Sequence, residues 1–254
     1  MVVKIIGSHG GVSPGFRATS FLIDGKILID AGSVTLGISI EEQSFIDHIL
    51  ISHAHLDHIG HLAYLCDNCF GLKSRPFEVY GNSPVIKSIK DHLFNDIIWP
   101  DFSKLPSKDK PTIKFNSITP DSPFHIDEYT IHPIAVNHNG GACGFIIEKE
   151  DCALVFTLDT GPTEKIWSKA KEIKHLKAIF TEVSFPNRLE QIAIDSYHHT
   201  PSTLHKELDK MPEDVPIFIG HLKPNFLEEL NDEINSLDND RLHIMGSDNA
   251  VITF

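Results

Sequence analysis

Residues 52–61, SHAHLDHIGH, concentrate metal-binding types of side chain in one short segment. Such polar groups cannot be buried without partners, and a surface cluster of this kind has no evident structural purpose. His53 and His55 follow a strand in an extended segment, so they can share one ion if the loop bends. Asp57 and His58 come as a helix begins, and they point to a second ion nearby. The segment therefore predicts a metal site, with His61 as a fifth candidate ligand.

Three later strand ends each carry one further residue of a ligand type. His138 in VNHNGG, Asp159 in FTLDTG and His221 in IGHLKP each follow an apolar run and lie beside a glycine or a turn residue. Folds of the α/β class place functional side chains just after strand ends. A site rich in histidine with a carboxylate favours zinc, with manganese or iron as alternatives.

Short apolar and β-branched runs alternate with amphipathic segments along the chain. Each half begins with consecutive strands and continues with strand–helix alternation, which predicts two mixed sheets covered by helices. We expect the proline-rich residues 99–111 to form an irregular surface excursion. The predicted strands are 2–7, 19–24, 26–32, 47–52, 78–81, 129–138, 143–149, 152–159, 176–183, 215–221, 241–246 and 250–254. The predicted helices are 83–94, 163–173, 200–211 and 224–237, with another directly after the histidine cluster.

The order of these motifs resembles the metallo-β-lactamase superfamily over essentially the whole chain: HxHxDH, a later histidine, an aspartate in DTG and a late histidine. The resemblance implies an αββα sandwich, that is, two mixed β-sheets flanked by helices, in a single domain of residues 1–254. It also implies two divalent metal ions between the sheets, supported by Asp30 of LIDAG behind the metal histidines. The implied ligands are His53, His55 and His138 for the first metal, Asp57, His58 and His221 for the second, and Asp159 bridging both.

Residues 180–204 distinguish among the activities of this superfamily. They place Glu182 at a strand end and His198 in an HxT before a helix. This resembles the E-A-T…H-x-T arrangement of the superfamily's phosphodiesterases, including transfer-RNA 3′-processing nucleases, in which the pair helps to protonate the leaving oxygen. Phosphodiester cleavage needs an activated nucleophile on one side and an acid on the other. The resemblance therefore implies Glu182 and His198, together with Asp57, as catalytic residues.

The segments SFPN, HHTP, GHLKP and LFNDIIWPDF resemble bacterial class II 3′,5′-cyclic-nucleotide phosphodiesterases. This implies that a metal-bridging hydroxide attacks the phosphorus of cyclic AMP or cyclic GMP and that the product is the 5′-monophosphate. The sequence departs from the class signature at His61, where a small residue is usual. His61 is either a supporting or substrate-facing residue or an ordinary helix histidine. An RNA 3′-end processing nuclease and a diiron redox or sensor protein stay open as alternatives.

The net charge of −13 argues against a long nucleic acid as the partner, because binding many phosphates needs a basic surface. A small-molecule cyclic nucleotide, held by local charges or metals, suits this chain better, and a homodimer is left open. The start, MVVKIIGSHGG, has the pattern of a strand rather than a signal peptide, and no segment approaches the roughly 20 apolar residues of a membrane span. We therefore expect a cytoplasmic location and no membrane partner. Cys66 and Cys69 are expected to be reduced core thiols on one helical face.

Overall fold

The computed structural model describes residues 1–246 and 249–254, which form two seven-stranded sheets and a separate two-stranded hairpin. In chain order the strands are β1 (Val2–Gly7), β2 (Ser20–Ile23), β3 (Ile27–Ile29), β4 (His48–Leu50), β5 (Phe77–Asn82), β6 (Pro106–Ser107), β7 (Lys110–Pro111), β8 (Ile113–Ile118), β9 (Phe124–Ile126), β10 (Tyr129–Ala135), β11 (Cys143–Lys149), β12 (Cys152–Phe156), β13 (Leu176–Glu182), β14 (Ile217–Gly220), β15 (Leu242–Ile244) and β16 (Ala250–Thr253).

Helices lie between the strands in both halves of the chain. They are α1 (Val34–Gly37), α2 (Ile40–Ser44), α3 (Leu56–Ile59), α4 (Leu62–Asn68), α5 (Ser83–His92), α6 (Lys165–Glu172), α7 (Glu190–Asp195), α8 (Pro201–Glu207) and α9 (Leu227–Asn235). Single 3-10 turns precede α7 and α9 and follow α8.

Both sheets are mixed, and they have the same internal plan. The first has the order β16-β1-β2-β3-β4-β5-β8, in which the pairings from β16 to β3 are antiparallel and those from β3 to β8 are parallel. The second has the order β15-β14-β13-β12-β11-β10-β9, antiparallel from β9 to β12 and parallel from β12 to β15. In each sheet the parallel strands bring their carboxyl ends to one edge, where α/β folds build their sites.

The strands alternate their side chains between two apolar layers, as the period of two requires. In β2 and β12, Phe21 and Phe156 point into the layer between the sheets, while Leu22 and Val155 point outwards under the helices. The rings of Phe156 and Phe180 stack in this central layer, with centroids 4.5 Å apart. The outer layers pack α4 and α5 on one sheet and α6, α8 and α9 on the other. The predicted sandwich of two mixed sheets flanked by helices is confirmed.

Several elements were absent from the sequence-based assignment. The excursion at 99–111 contains the hairpin β6–β7, whose strands include Pro106 and Pro111 and were therefore not recognised. Strands β8 and β9 and helices α2 and α7 were also missed. These elements are short, and β8 is stabilised by its pairing with β5, which is distant in the sequence. Strands β2 and β3, in the predicted strand regions 19–24 and 26–32, form a hairpin that turns at Asp24 and Gly25, both at positive φ.

No helix among the described residues is long and apolar enough to cross a membrane.

Candidate metal centre

Every predicted metal ligand lies just after a strand, at the edge where the parallel strands of the two sheets end. The extended segment after β4 carries His53 and His55, and the first turn of α3 carries Asp57 and His58. Three residues from the other sheet follow strands β10, β12 and β14: His138, Asp159 and His221. The site is therefore assembled from both sheets.

The first group of ligand atoms comes from His53, His55, His138 and Asp159, and these atoms all lie within 4.8 Å of one another. The Nε2 atom of His53 is 3.0 Å from Nδ1 of His55, and Nε2 of His138 is 3.3 Å from the same Nδ1. The loop after β4 thus bends as the two-residue spacing requires, so that three imidazole nitrogens face one point.

The second group comes from Asp57, His58, Asp159 and His221, whose ligand atoms also lie within 4.8 Å of one another. The Nε2 atoms of His58 and His221 are 3.3 Å apart, and Asp57 Oδ2 is 3.2 Å from His221 Nε2. This group is more buried than the first, in which His55 is exposed and His138 half-buried.

Asp159 belongs to both groups and turns one oxygen towards each. Its Oδ2 lies 3.6 Å from His53 Nε2, and its Oδ1 lies 3.1 Å from His58 Nε2 and 3.2 Å from His221 Nε2. The side chain is almost fully buried, and Oδ1 has no hydrogen-bond partner among the described residues. A buried carboxylate oxygen without a hydrogen bond is costly, so this arrangement calls for a cation.

Two histidines of the HxHxDH segment, His53 and His58, are held through the ring nitrogen that faces away from the centre. Asp30 Oδ2 lies 2.6 Å from Nδ1 of His58, so that nitrogen donates and leaves the Nε2 lone pair facing the centre. Ser52 Oγ donates its proton to Asp30 at 2.7 Å. The same oxygen can therefore accept a hydrogen bond from Nδ1 of His53 at 3.0 Å. The expectation that Asp30 lies behind the metal histidines agrees with these contacts.

Two groups of the second sheet orient the remaining histidines in the same way. Nδ1 of His138 lies 3.1 Å from the carbonyl oxygen of Tyr197, and Nδ1 of His221 lies 2.9 Å from Ser184 Oγ. Because Nδ1 of each ring donates to its acceptor, the neutral ring carries its proton on Nδ1. Its Nε2 then has a lone pair for a metal. The donor set, neutral imidazoles with carboxylates, fits divalent zinc and also manganese or iron.

The carboxylates and imidazoles of the site shift one another's pKa values. Burial alone would raise the pKa of Asp159, but charges on His221 and His58 outweigh it and hold that pKa well below its ordinary value. Burial lowers the pKa of His53 and of His138 despite the nearby Asp159, so these rings favour the neutral form that binds metals. For His58, burial is outweighed by Asp159 and Asp30, which raise its pKa.

Four residues at or beside the site have a strained backbone conformation. Asp30, Leu158, Tyr197 and His221 all have positive φ, between 53° and 59°. Such conformations cost free energy for residues other than glycine and cluster at functional positions. Gly10 permits a close approach of another kind, since a Cβ there would lie 2.7 Å from Nδ1 of His221.

A buried carboxylate–histidine pair adjoins the second group. His198 Nδ1 lies 2.8 Å from Glu182 Oε1, and the His198 ring stacks on His221 with centroids 5.4 Å apart. Ser184 Oγ donates to Glu182 Oε2 at 2.9 Å, which joins this pair to the second group through His221. Burial lowers the pKa of His198, but the charge and hydrogen bond of Glu182 outweigh it and raise that pKa. The raised pKa favours a histidine that can donate a proton.

His61 lies away from both groups. Its Nδ1 is 2.6 Å from Thr35 Oγ1, its backbone N–H donates to Ala31, and its ring packs against Tyr64. The contacts are those of a histidine at the start of α4, and its role in binding stays untested. Cys66 in α4 and Cys69, the residue that directly follows this helix, are buried free thiols, as expected.

Residues 26–221 match the Beta-lactamase superfamily domain. This match spans most of the chain and includes every candidate ligand. The chain belongs to this family.

Individual proteins are similar to this chain in sequence or in fold. A 3′,5′-cyclic-nucleotide phosphodiesterase of Aliivibrio fischeri is 28% identical over 86% of this chain and 80% of its own length. The unliganded crystal structure of yeast PDE1 superposes with a TM-score of 0.78 at 18% identity and covers 97% of both chains. Human tRNase Z, short form, superposes with a TM-score of 0.69 at 17% identity over 100% of this chain and 99% of its own. At these identities the two structures show the fold alone.

The sequence patterns identified the ligand-type residues of this superfamily member and Asp30, but not the other groups that orient the histidines. Ser52 lay inside the quoted segment, and its position beside His53 was the available signal. Ser184 lay in SFPN, two residues after Glu182, in the place of the threonine in E-A-T. The carbonyl oxygen of Tyr197 carries no sequence signal, since its position depends on a backbone turn at positive φ.

Proposed function

We propose that this chain is a hydrolase that converts 3′,5′-cyclic nucleotides into nucleoside 5′-monophosphates with the aid of two divalent metal ions. The observation that carries the proposal is the Glu182–His198 pair beside the second ligand group, since it supplies an acid next to a site that binds phosphoryl oxygens. The similarity to a phosphodiesterase of that name supports the substrate class.

The two groups of ligand atoms would each hold one ion, and zinc is the proposed metal. His53, His55 and His138 would hold the first, and Asp57, His58 and His221 the second, with Asp159 between them. Bound ions would act as Lewis acids on the phosphoryl oxygens and would lower the pKa of a water molecule. Because the ligands come from both sheets, we propose that residues 1–254 work as one domain.

Glu182 and His198 would perform the proton transfer to the leaving oxygen. Glu182 accepts from Nδ1 of His198, so the ring presents its Nε2 to the substrate. The carboxylate also stabilises the protonated ring, which then donates a proton to the 3′-oxygen as the bond to phosphorus breaks. An oxygen from water would take its place on phosphorus, the 3′-oxygen would leave as a hydroxyl group, and the phosphate would stay on the 5′-oxygen.

A substrate panel tests this proposal. Purified protein loaded with zinc or manganese is offered cyclic AMP, cyclic GMP, bis(p-nitrophenyl) phosphate and a precursor transfer RNA, with a chelator control. We expect cyclic-nucleotide turnover that disappears with the chelator and returns with metal. If the protein cleaves the p-nitrophenyl ester but leaves both cyclic nucleotides intact, the proposed substrate is wrong.

An RNA 3′-end nuclease is the second candidate, because human tRNase Z shares this fold. The net charge of −13 disfavours it, since such a substrate carries many phosphates. Cleavage of the precursor RNA in the same panel, in preference to cyclic nucleotides, would support it.

A further inference from the structure

Phe185 lies next to the proposed acid and is only partly covered. It follows Ser184 at the end of β13, and its ring meets the ring of His198 edge-on with centroids 5.9 Å apart. A second half-buried ring, Phe226, packs beside it at 6.5 Å. The chain thus presents a small aromatic surface in contact with the proposed acid.

Lys223 places a positive charge on the same surface. Its ammonium lies over the Phe185 ring at 5.0 Å from the centroid and 3.5 Å from the carbonyl oxygen of Gly10. No carboxylate of residues 1–246 and 249–254 lies within ion-pair distance of it. The other cation of this surface, Arg188, lies over Phe226 and already forms a forked pair with Glu229.

Lys223 adds a positive charge beside a site whose own side chains include four carboxylates, Asp30, Asp57, Asp159 and Glu182. In the proposed enzyme the two metal ions would offset these carboxylates. A fixed lysine ammonium at the edge would then be a further partner for a phosphate oxygen, in a chain whose net charge is −13. The Gly10 carbonyl oxygen and the Phe185 ring hold this ammonium near the edge of the site without neutralising it.

The geometry of the proposed reaction fixes which part of the substrate lies here. His198 protonates the leaving 3′-oxygen, so the ribose and its base must lie on the His198 side of the phosphorus. Phe185 is a half-buried aromatic side chain in contact with the His198 ring, and base–aromatic stacking tolerates any base because every base has a π-face. Lys223, which lies against the same ring, is within reach of a negatively charged phosphate oxygen.

We propose that Phe185 and Lys223 form the subsite that receives the nucleoside and the phosphate charge of the substrate, Phe185 by packing on the nucleoside and Lys223 by pairing with a phosphate oxygen. This proposal rests on the proposed cyclic-nucleotide activity and extends it to substrate recognition.

The test separates the charged from the uncharged part of the ligand. The metal-loaded wild type, Lys223→Met, Lys223→Arg and Phe185→Leu are compared for the KM of cyclic AMP and for inhibition by 5′-AMP and by adenosine. We expect Lys223→Met to raise KM and the inhibition constant of 5′-AMP by about tenfold, as for a lost charged hydrogen bond, while adenosine is unaffected. Lys223→Arg should restore most of the loss, because it keeps the charge. Phe185→Leu should weaken adenosine and 5′-AMP alike.

The matched controls are Lys206→Met, at an exposed lysine of α8, and Phe70→Leu, at a half-exposed ring after α4. Neither should change KM or inhibition. All variants should retain the metal content of the wild type, which shows that any effect of Lys223 does not act through His221. Unchanged inhibition by 5′-AMP in Lys223→Met, or equal losses for adenosine and 5′-AMP, would overturn the role of Lys223. Unchanged adenosine inhibition in Phe185→Leu would overturn that of Phe185.

Failure of this proposal differs from failure of the proposed function. If the wild type turns over cyclic AMP and the variants behave like it, the subsite is wrong and the activity stands. If the wild type cleaves only bis(p-nitrophenyl) phosphate, the cyclic-nucleotide activity fails. The KM of that anionic ester then reports on Lys223, and an unchanged value in Lys223→Met would reject its role.

Discussion

His198 owes its proposed role to one buried carboxylate. Glu182 Oε1 lies 2.8 Å from its Nδ1, and the pair is nearly fully buried. We predict that His198→Ala lowers kcat by about a hundredfold to ten-thousandfold, the usual contribution of a positioned general acid. Glu182→Gln should lower it too, because the ring then loses the charge that favours its protonated form. Steady-state kinetics with cyclic AMP measures both losses.

Metal content separates an acid from a ligand in those variants. His198 stacks on His221 but supplies no atom to the two proposed metal groups, so His198→Ala should bind as much metal as the wild type. His205→Ala, at an exposed histidine of α8, serves as the control and should retain full turnover. Normal turnover in His198→Ala would remove this residue from the mechanism.

Asp159 is the residue on which both ligand groups depend, since one oxygen faces each group. We predict that Asp159→Asn lowers the bound metal from two ions to one or none per chain, because the amide lacks the bridging negative charge. Elemental analysis after dialysis measures the metal content. Asp151→Asn, at a carboxylate that is 93% exposed, is the matched control and should keep two ions. Two tightly held ions in Asp159→Asn would contradict the bridging role.

The residue scale is also where the sequence was most informative. A histidine or aspartate after an apolar run is visible in the sequence, and the order of such motifs identified the superfamily and hence the two groups. The partner of each second ring nitrogen was visible only in part. Asp30 belongs to a recognisable motif. The Ser184 hydroxyl, in contrast, bonds to Glu182 and His221, and its contact with His221 exists because the fold brings these residues together.

Among the elements, helix α8 positions the proposed acid by starting immediately after it. Thr200 caps α8 through a bond from Thr203 N, and the Thr203 hydroxyl accepts from Thr200 N at 2.8 Å. We predict that Thr200→Ala destabilises the protein by about 1 kcal/mol, the typical value of a lost N-cap. It should also lower turnover, because His198 and His199 lead directly into this cap. Urea unfolding measures the first effect and steady-state kinetics the second.

The control for the cap is Ser202→Ala in the same first turn. It changes a hydroxyl of the helix without removing the capping hydroxyl, so the free energy of unfolding should stay near the wild-type value. A loss in Ser202→Ala equal to that in Thr200→Ala would contradict the capping argument.

The elements also show where sequence patterns stop being informative. Strand β11 occupies its predicted residues, 143–149, because its first five residues are apolar or glycine and are buried on both faces, while Glu148 and Lys149 at its end are half-buried. Strand β8 alternates less clearly, with Lys114 exposed and Asn116 half-buried, and it is defined by its pairing with β5. The proline residues of β6 and β7 concealed a hairpin, since proline usually argues against a strand.

At the scale of the whole molecule, each ligand group takes side chains from both sheets. The HxHxDH residues follow β4 of one sheet, while His138, Asp159 and His221 follow strands of the other. A ligand that binds only the folded protein stabilises it by mass action, by about 2.7 kcal/mol at a hundred times its Kd. We therefore predict that a chelator lowers Tm and that added zinc restores it. In Asp159→Asn, zinc should raise Tm less than in the wild type.

An unchanged Tm on removal of bound metal would contradict this link between the sheets. The measurement needs the metal content of each sample, because residual zinc would hide the effect.

The product of the reaction tests the central claim most directly. Metal-loaded protein is incubated with cyclic AMP, and the product is identified by phosphorus NMR and chromatography against authentic 5′-AMP and 3′-AMP. Protonation of the 3′-oxygen by His198 predicts 5′-AMP alone, with formation reduced in His198→Ala. Intact cyclic AMP in a sample with two bound metals, or 3′-AMP as the product, would contradict the account.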